Sequence, residues 1–111
     1  KKSINRVILV GHVGNKPETR YTKEGRAVST FSLATHEYKK GGSGDTDDKT
    51  EWHGILAWGK VGEFADQYIK KGQLVCVEGR LKTSKWVSKE GASLSKTEIV
   101  ASTITPLEWR E

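Results

Sequence analysis

Two short stretches concentrate the side chains that could do chemistry: TEWHGILAWGK from Thr50 to Lys60, and GRLKTSKW from Gly79 to Trp86. Both alternate, and in an extended strand successive side chains point to opposite faces. Trp52, Gly54, Leu56 and Trp58 then share one face, with His53, Ile55 and Ala57 on the other. By the same parity Arg80, Lys82, Ser84 and Trp86 line up, with Val75, Val77, Gly79 and Leu81 opposite. Filling a core with both Trp52 and Trp58 would push Ile55 and Ala57 into water, so the pattern predicts an outward face of flat rings and cations. Such a face suits the stacking of unpaired bases and the tracking of phosphates.

The remaining candidates are weaker. Arg6, Lys16, Arg20, Lys60, Arg80, Lys82 and Lys85 each read singly as solvated cations. Interleaving with Trp86 lifts Lys82 and Lys85 above that reading. Tyr38 borders a polar segment and serves either as its anchor or as another stacking ring. Trp109 reads as a packing residue or part of a tail. His53 has core parity between hydrophobic positions, which fits a packed or interface histidine. His12 and His36 have no Ser, Cys or carboxylate at a diagnostic spacing, and no HExxH, GxSxG or Walker A pattern occurs. Gly11 to Gly14 matches a GXXG loop, but strand-like residues precede it where that motif needs a helix. The single Cys76 gives neither an internal disulfide nor a metal-ligand spacing. A non-enzymatic chain without cofactor or metal is expected.

The elements that must carry these residues can be read from hydrophobic period and turn residues. Ile4 to Val13 is an apolar, β-branched strand, with a bulge or bend expected at Gly11. Glu18 to Thr22 is a short edge piece, Lys23 to Arg26 a turn, and Ala27 to Glu37 a second strand. Lys39 to Lys49 holds no apolar residue and reads as a mobile loop. After the Trp52 strand, Val61, Phe64, Ala65, Tyr68 and Ile69 mark one amphipathic helix over Lys60 to Lys71, with Gly72 as its stop. Gln73 to Trp86 is a long strand bending at Gly79, Val87 to Leu94 a loop, and Ser95 to Thr105 the last strand. Three strands, a helix and two strands is the order of the OB-fold, an all-β five-stranded Greek-key barrel with a helix between its third and fourth strands. An α+β sandwich with the helix on one sheet is the second reading.

At 111 residues this is one domain, and no apolar run approaches a membrane span. The net charge of +5 favours a polyanionic partner without choosing one.

NRVILVGHVGNKPETRYT at Asn5 to Thr22, the TEWHGILAWGK segment, YIKKGQLVCVEGRLKTSKW at Tyr68 to Trp86 and TEIVAS at Thr97 to Ser102 resemble the DNA-binding domain of the bacterial single-stranded DNA-binding protein (SSB) family. The likeness runs along nearly the whole chain in the family's order. It implies sequence-independent binding of single-stranded DNA in replication, recombination and repair, assembly into a homotetramer, and a cytoplasmic, nucleoid-associated setting, with an organellar origin also compatible. Carried across, the family's stacking rings fall on Trp52, Trp58 and Trp86, with Tyr38 at a fourth aromatic site. Its basic contacts fall on Lys60, Arg80, Lys82, Lys85 and Arg20, and its interface histidine on His53. Gly54 stands where Arg is usual, and Trp58 where Phe is common. Leu94 and Ser95 replace an Arg-Tyr pair. The family's acidic C-terminal tip, which recruits replication and repair proteins, has no counterpart in these residues and implies a truncated piece. An RNA-binding OB module and a dimeric primosomal OB protein acting as a scaffold are the alternative functions.

Overall fold

The computed structural model describes residues 1–37 and 49–109. Tyr38 and all but the last residue of the expected polar loop lie outside them. The elements are β1 (Val7–Val13), β2 (Glu18–Tyr21), β3 (Ala27–Glu37), β4 (Lys49–Trp58), α1 (Lys60–Tyr68), β5 (Leu74–Val87) and β6 (Ser93–Pro106).

Alternation of apolar and polar residues makes these strands one-sided, and a one-sided sheet must bury that side. Here it does so by closing on itself. The sheet runs β1-β5-β6-β4-β3-β2, and β1 also pairs with β3 through His12 opposite Ala34 and Val13 opposite Leu33. The β4–β6 pairing is parallel, with Ile55 opposite Ile99 and Ala57 opposite Ala101, and the others are antiparallel. The ring of β1, β3, β4, β6 and β5 is the expected five-stranded OB barrel, with the helix between its third and fourth strands. β2 is an added edge strand on the first half of β3.

Inside the ring, Phe31, Leu33, Ile55, Ala57, Val75, Val77, Ile99, Ala101 and Ile104 form one core, to which Ala65 of α1 and Ile69 just beyond it contribute. Each large aliphatic buried in this way contributes about 1.5–3 kcal/mol. Gly59 caps α1 at φ 62, a left-handed conformation that favours glycine. Gln73 is buried with its amide satisfied: Oε1 accepts from the Lys70 N–H at 2.9 Å, and Nε2 donates to the Glu108 carbonyl at 2.7 Å. This clamp ties the C-terminal segment to the start of β5.

Several boundaries differ from the sequence reading for identifiable reasons. β1 begins at Val7 rather than Ile4, because the Asn5 side chain takes over the pairing. Its amide donates to the Leu81 carbonyl and accepts from the Leu81 N–H, both at 2.9 Å. Gly11 is not a bulge: the β1–β5 register runs unbroken past it, opposite Val75. A Cβ at Gly11 would lie 2.3 Å from the Ala34 carbonyl oxygen, so this glycine permits close passage of β1 over β3. The helix stops at Tyr68 because Ile69 adopts an extended conformation and enters the core. The last strand starts at Ser93, since the hairpin turn needs only Ser88 to Ala92, closed by a 2.8 Å bond from the Ser88 N–H to the Ala92 carbonyl.

The bend expected at Gly79 is present as a bulge. Glu78 pairs with Thr103 but Gly79 pairs with Ala101, which leaves Ser102 as an extra residue on β6. That residue lets Ile104 on one side of it and Ala101 and Ile99 on the other all face inward.

Candidate nucleic-acid interface

The register assembles the outward residues of four strands into one wall. On β4, Trp52, Gly54, Leu56 and Trp58 alternate with the buried Ile55 and Ala57, as parity requires. Opposite them on β3 stand Ala34, Ser32, Thr30 and Val28, and Val28 in turn pairs with Arg20 on β2. Glu98 on β6 flanks Gly54 and pairs with Lys82 on β5. Further along the same hairpin, Trp86 pairs with Leu94. Trp52, Trp58, Trp86, Arg20, Arg80 and Lys82 therefore share an outer surface that spans β2 to β5.

Not every expected contact falls on it. Lys85 follows the opposite parity, pairs with Ser95, and faces the other side of the β5–β6 hairpin. Lys60 is exposed at the first turn of α1, one residue beyond Gly59 and close in the chain to Trp58. Arg6 is engaged with Glu78 at 3.8 Å. His53 is half-buried, and its Nε2 lies 2.9 Å from the Thr35 hydroxyl. Trp109 meets Tyr68 edge-on at 6.3 Å between centroids and is otherwise largely exposed. Residues Gly11 to Gly14 run along and off the end of β1, with no helix on either side, so the GXXG match is coincidental.

The three tryptophans differ in setting. Trp52 is 60% exposed, and Trp86 is 46% exposed. The Trp52 ring lies against Gly14: a Cβ there would sit 2.4 Å from its Cζ3. Gly14 is itself fixed, because its N–H donates to the Ser32 carbonyl at 2.8 Å while the Asn15 carboxamide accepts from the Ser32 N–H at 2.9 Å. Trp58 is half-buried, and the Arg26 guanidinium lies over its ring with Cζ 4.9 Å from the centroid.

Sequence reasoning missed three participants. Arg26 was assigned only to a turn, Glu98 only to a strand, and Gly14 only to a motif match. Glu98 lies along the space beside Gly54: a Cβ at that position would be 3.6 Å from its Cγ. Its side chain is only 15% exposed, and its carboxylate is 3.4 Å from the Lys96 ammonium. The centre of the wall thus holds a carboxylate and its own counter-ion. Only the cross-strand register brings these residues together, and a linear pattern does not contain that register.

Among the described residues no group of His, Cys, Asp and Glu is placed to hold a metal ion, and no helix is long and apolar enough to cross a membrane.

A closed five-stranded barrel, a helix between its third and fourth strands, and a ring-bearing outer wall define an OB-fold domain. The family model described as "Single-strand binding protein family" matches residues 4–107, and the chain belongs to that family. It is 48% identical over 100 residues to single-stranded DNA-binding protein 1 of Chlorobaculum tepidum, which covers 89% of this chain and 62% of that protein. It is 42% identical over 109 residues to the single-stranded DNA-binding protein of Xanthomonas campestris, covering 98% of this chain and 63% of that one. The chain thus spans less than two thirds of the length of these relatives. Among solved structures, the Plasmodium falciparum SSB in complex with ssDNA superposes with a TM-score of 0.86 at 33% identity, covering 97% of this chain and 98% of that one.

Proposed function

We propose that this domain binds single-stranded DNA without sequence preference and protects it during replication, recombination and repair. The observation that carries this reading is the single outer wall on which Trp52, Trp58 and Trp86 lie among Arg20, Arg80 and Lys82. Unpaired bases stack on the exposed rings, each contributing about 1–3 kcal/mol. Guanidinium and ammonium groups, including Lys60 beside the wall and Lys85 on the reverse side of the β5–β6 hairpin, follow the backbone and release counter-ions. Tyr38 adds a fourth ring. Duplex binds poorly because its bases are already stacked on one another. No nucleophile or metal enters this function.

Assembly into a homotetramer fits the outer side of β1, where Ile8 and Val10 are 58% and 52% exposed. Such residues gain by burial against a second copy. His53 contributes to the contact between copies. Replication and repair proteins are recruited through the family's acidic C-terminal tip, which is not among these 111 residues, and the activity belongs to the bacterial cytoplasm.

The test is a titration of intrinsic Trp fluorescence with oligo-dT and with duplex, each at two salt concentrations. Oligo-dT should quench the emission, more weakly at the higher salt, while duplex has little effect. Unchanged emission with oligo-dT at low salt, or equal binding of duplex, would overturn the reading. Light scattering should return a mass near four times 12.3 kDa, and a mass of two chains would count against the tetramer.

A further inference from the structure

Among the described residues, Trp58 is the one tryptophan of the wall whose ring carries a cation. The Arg26 guanidinium lies over it at 4.9 Å from the centroid. This arrangement is prepared by the backbone. Arg26 closes the β2–β3 turn, in which the Thr22 N–H donates to the Arg26 carbonyl at 2.9 Å. The Arg26 N–H in turn donates to the Thr22 hydroxyl at 3.0 Å. Gly25 supplies the left-handed position at φ 83.

The residues that follow Arg26 and Trp58 are also tied, by a 2.8 Å bond from the Gly59 N–H to the Ala27 carbonyl. The Arg26 side chain passes beside position 59, where a Cβ would be in ordinary contact with its Nε at 3.8 Å. Arg26 precedes β3, and its guanidinium reaches the wall by lying over Trp58, whose cross-strand partner is Val28.

The guanidinium is held but not neutralised. Arg26 is exposed, and among the described residues it makes no ion pair, the two present being Arg6 with Glu78 and Lys96 with Glu98. The contact with the indole is a cation–π one, and among the described residues no hydrogen bond or ion pair engages the N–H donors of the guanidinium. A planar fork of free donors matches a phosphodiester, and a side chain already fixed loses less freedom on binding.

We propose that Arg26 and Trp58 form one composite subsite, in which the indole holds the guanidinium as a fixed receptor for a backbone phosphate of the single strand. Trp58 then acts mainly through Arg26, whereas Trp52 and Trp86 act as open rings. This rests on the single-strand reading above and assigns a residue and a ligand group within it.

The test measures oligo-dT affinity against salt for the wild type, Arg26→Gln and Arg26→Lys, with thermal unfolding to confirm that each variant folds. Arg26→Gln should weaken binding about three- to tenfold at low salt. It should also reduce the slope of log K against log salt by about 0.7, the value for one phosphate on a single strand. Arg26→Lys should keep the slope and recover only part of the affinity. In a Trp58→Leu background the effect of Arg26→Gln should shrink, because the guanidinium is no longer held.

An unchanged slope in Arg26→Gln overturns the proposal, and tighter binding would make Arg26 a lid over Trp58 instead. A lysine variant equal to wild type would show that a point charge suffices and would overturn the composite site. Failure of the wild type itself to bind oligo-dT would sink the parent reading, which separates the two failures.

Discussion

The two halves of β5 belong to one continuous strand and do opposite things. From Leu74 to Glu78 the strand alternates buried and half-buried positions, with Val75 and Val77 wholly inside the barrel. From Arg80 to Val87 every residue is exposed, although the ladder with β6 continues to Ser93. Alternation is present in both halves, so it reports the strand and not what the strand covers. Stability resides in the half that meets other strands across a core. Beyond Lys82 the other half is a two-stranded ribbon with β6, a structure marginal on its own, which extends Trp86 past the barrel.

This contrast can be broken at the core first. Ile55→Ala, inside the barrel, should cost about 2–5 kcal/mol of stability. Urea unfolding would measure it, while the oligo-dT affinity of the folded fraction stays near wild type. A loss below 1 kcal/mol would mean that the barrel is not where stability is held.

Trp86→Ala should behave inversely. Its stability should remain within about 0.5 kcal/mol of wild type, while oligo-dT affinity falls by about 1–3 kcal/mol. If the variant unfolds easily, the ribbon supports the fold after all.

The smallest effect concerns the wall where barrel and ribbon meet. Gly54→Arg is sterically accommodated, because its Cβ would be in ordinary contact with Glu98. The sequence alone would assign the new cation to DNA, giving tighter binding and a steeper salt dependence. With Glu98 alongside, an ion pair to its largely buried carboxylate competes for the guanidinium. Gly54→Arg should therefore steepen the salt slope by less than about 0.7, and adding Glu98→Gln should restore the full increment. Equal slopes for the single and double variants would show that Glu98 does not hold the arginine.

Much of the fold was legible because it depends on local rules. The parity of Trp52 to Trp58 follows from a period of two, and the helix face of Val61, Phe64 and Ala65 from a period near 3.6. Its last turn was not legible, since Ile69 leaves the helix to fill a core that only the closed barrel creates. The wall was legible strand by strand but not as a surface. Glu98 reaches Gly54 through a parallel pairing, and Arg26 reaches Trp58 through the closure of a turn. Such contacts depend on register between distant segments, which no local period encodes. Lys85 shows the converse: adjacency to Trp86 in sequence places it on the opposite side of the hairpin.

The extra residue at Ser102 sets the reading frame of the sheet. On one side of it the inward residues of β6 carry even numbers, beginning with Ile104, and on the other they carry odd numbers, Ala101 and Ile99. Drawing Ser102 into the ladder would be a frameshift in side-chain space: from there on Glu98 and Leu94 would turn off the wall and Ile99 into water. Deleting it would instead leave Thr103 outward and Ala101 inward in simple alternation, still opposite Glu78 and Gly79. Substitutions at this exposed position should be tolerated as well.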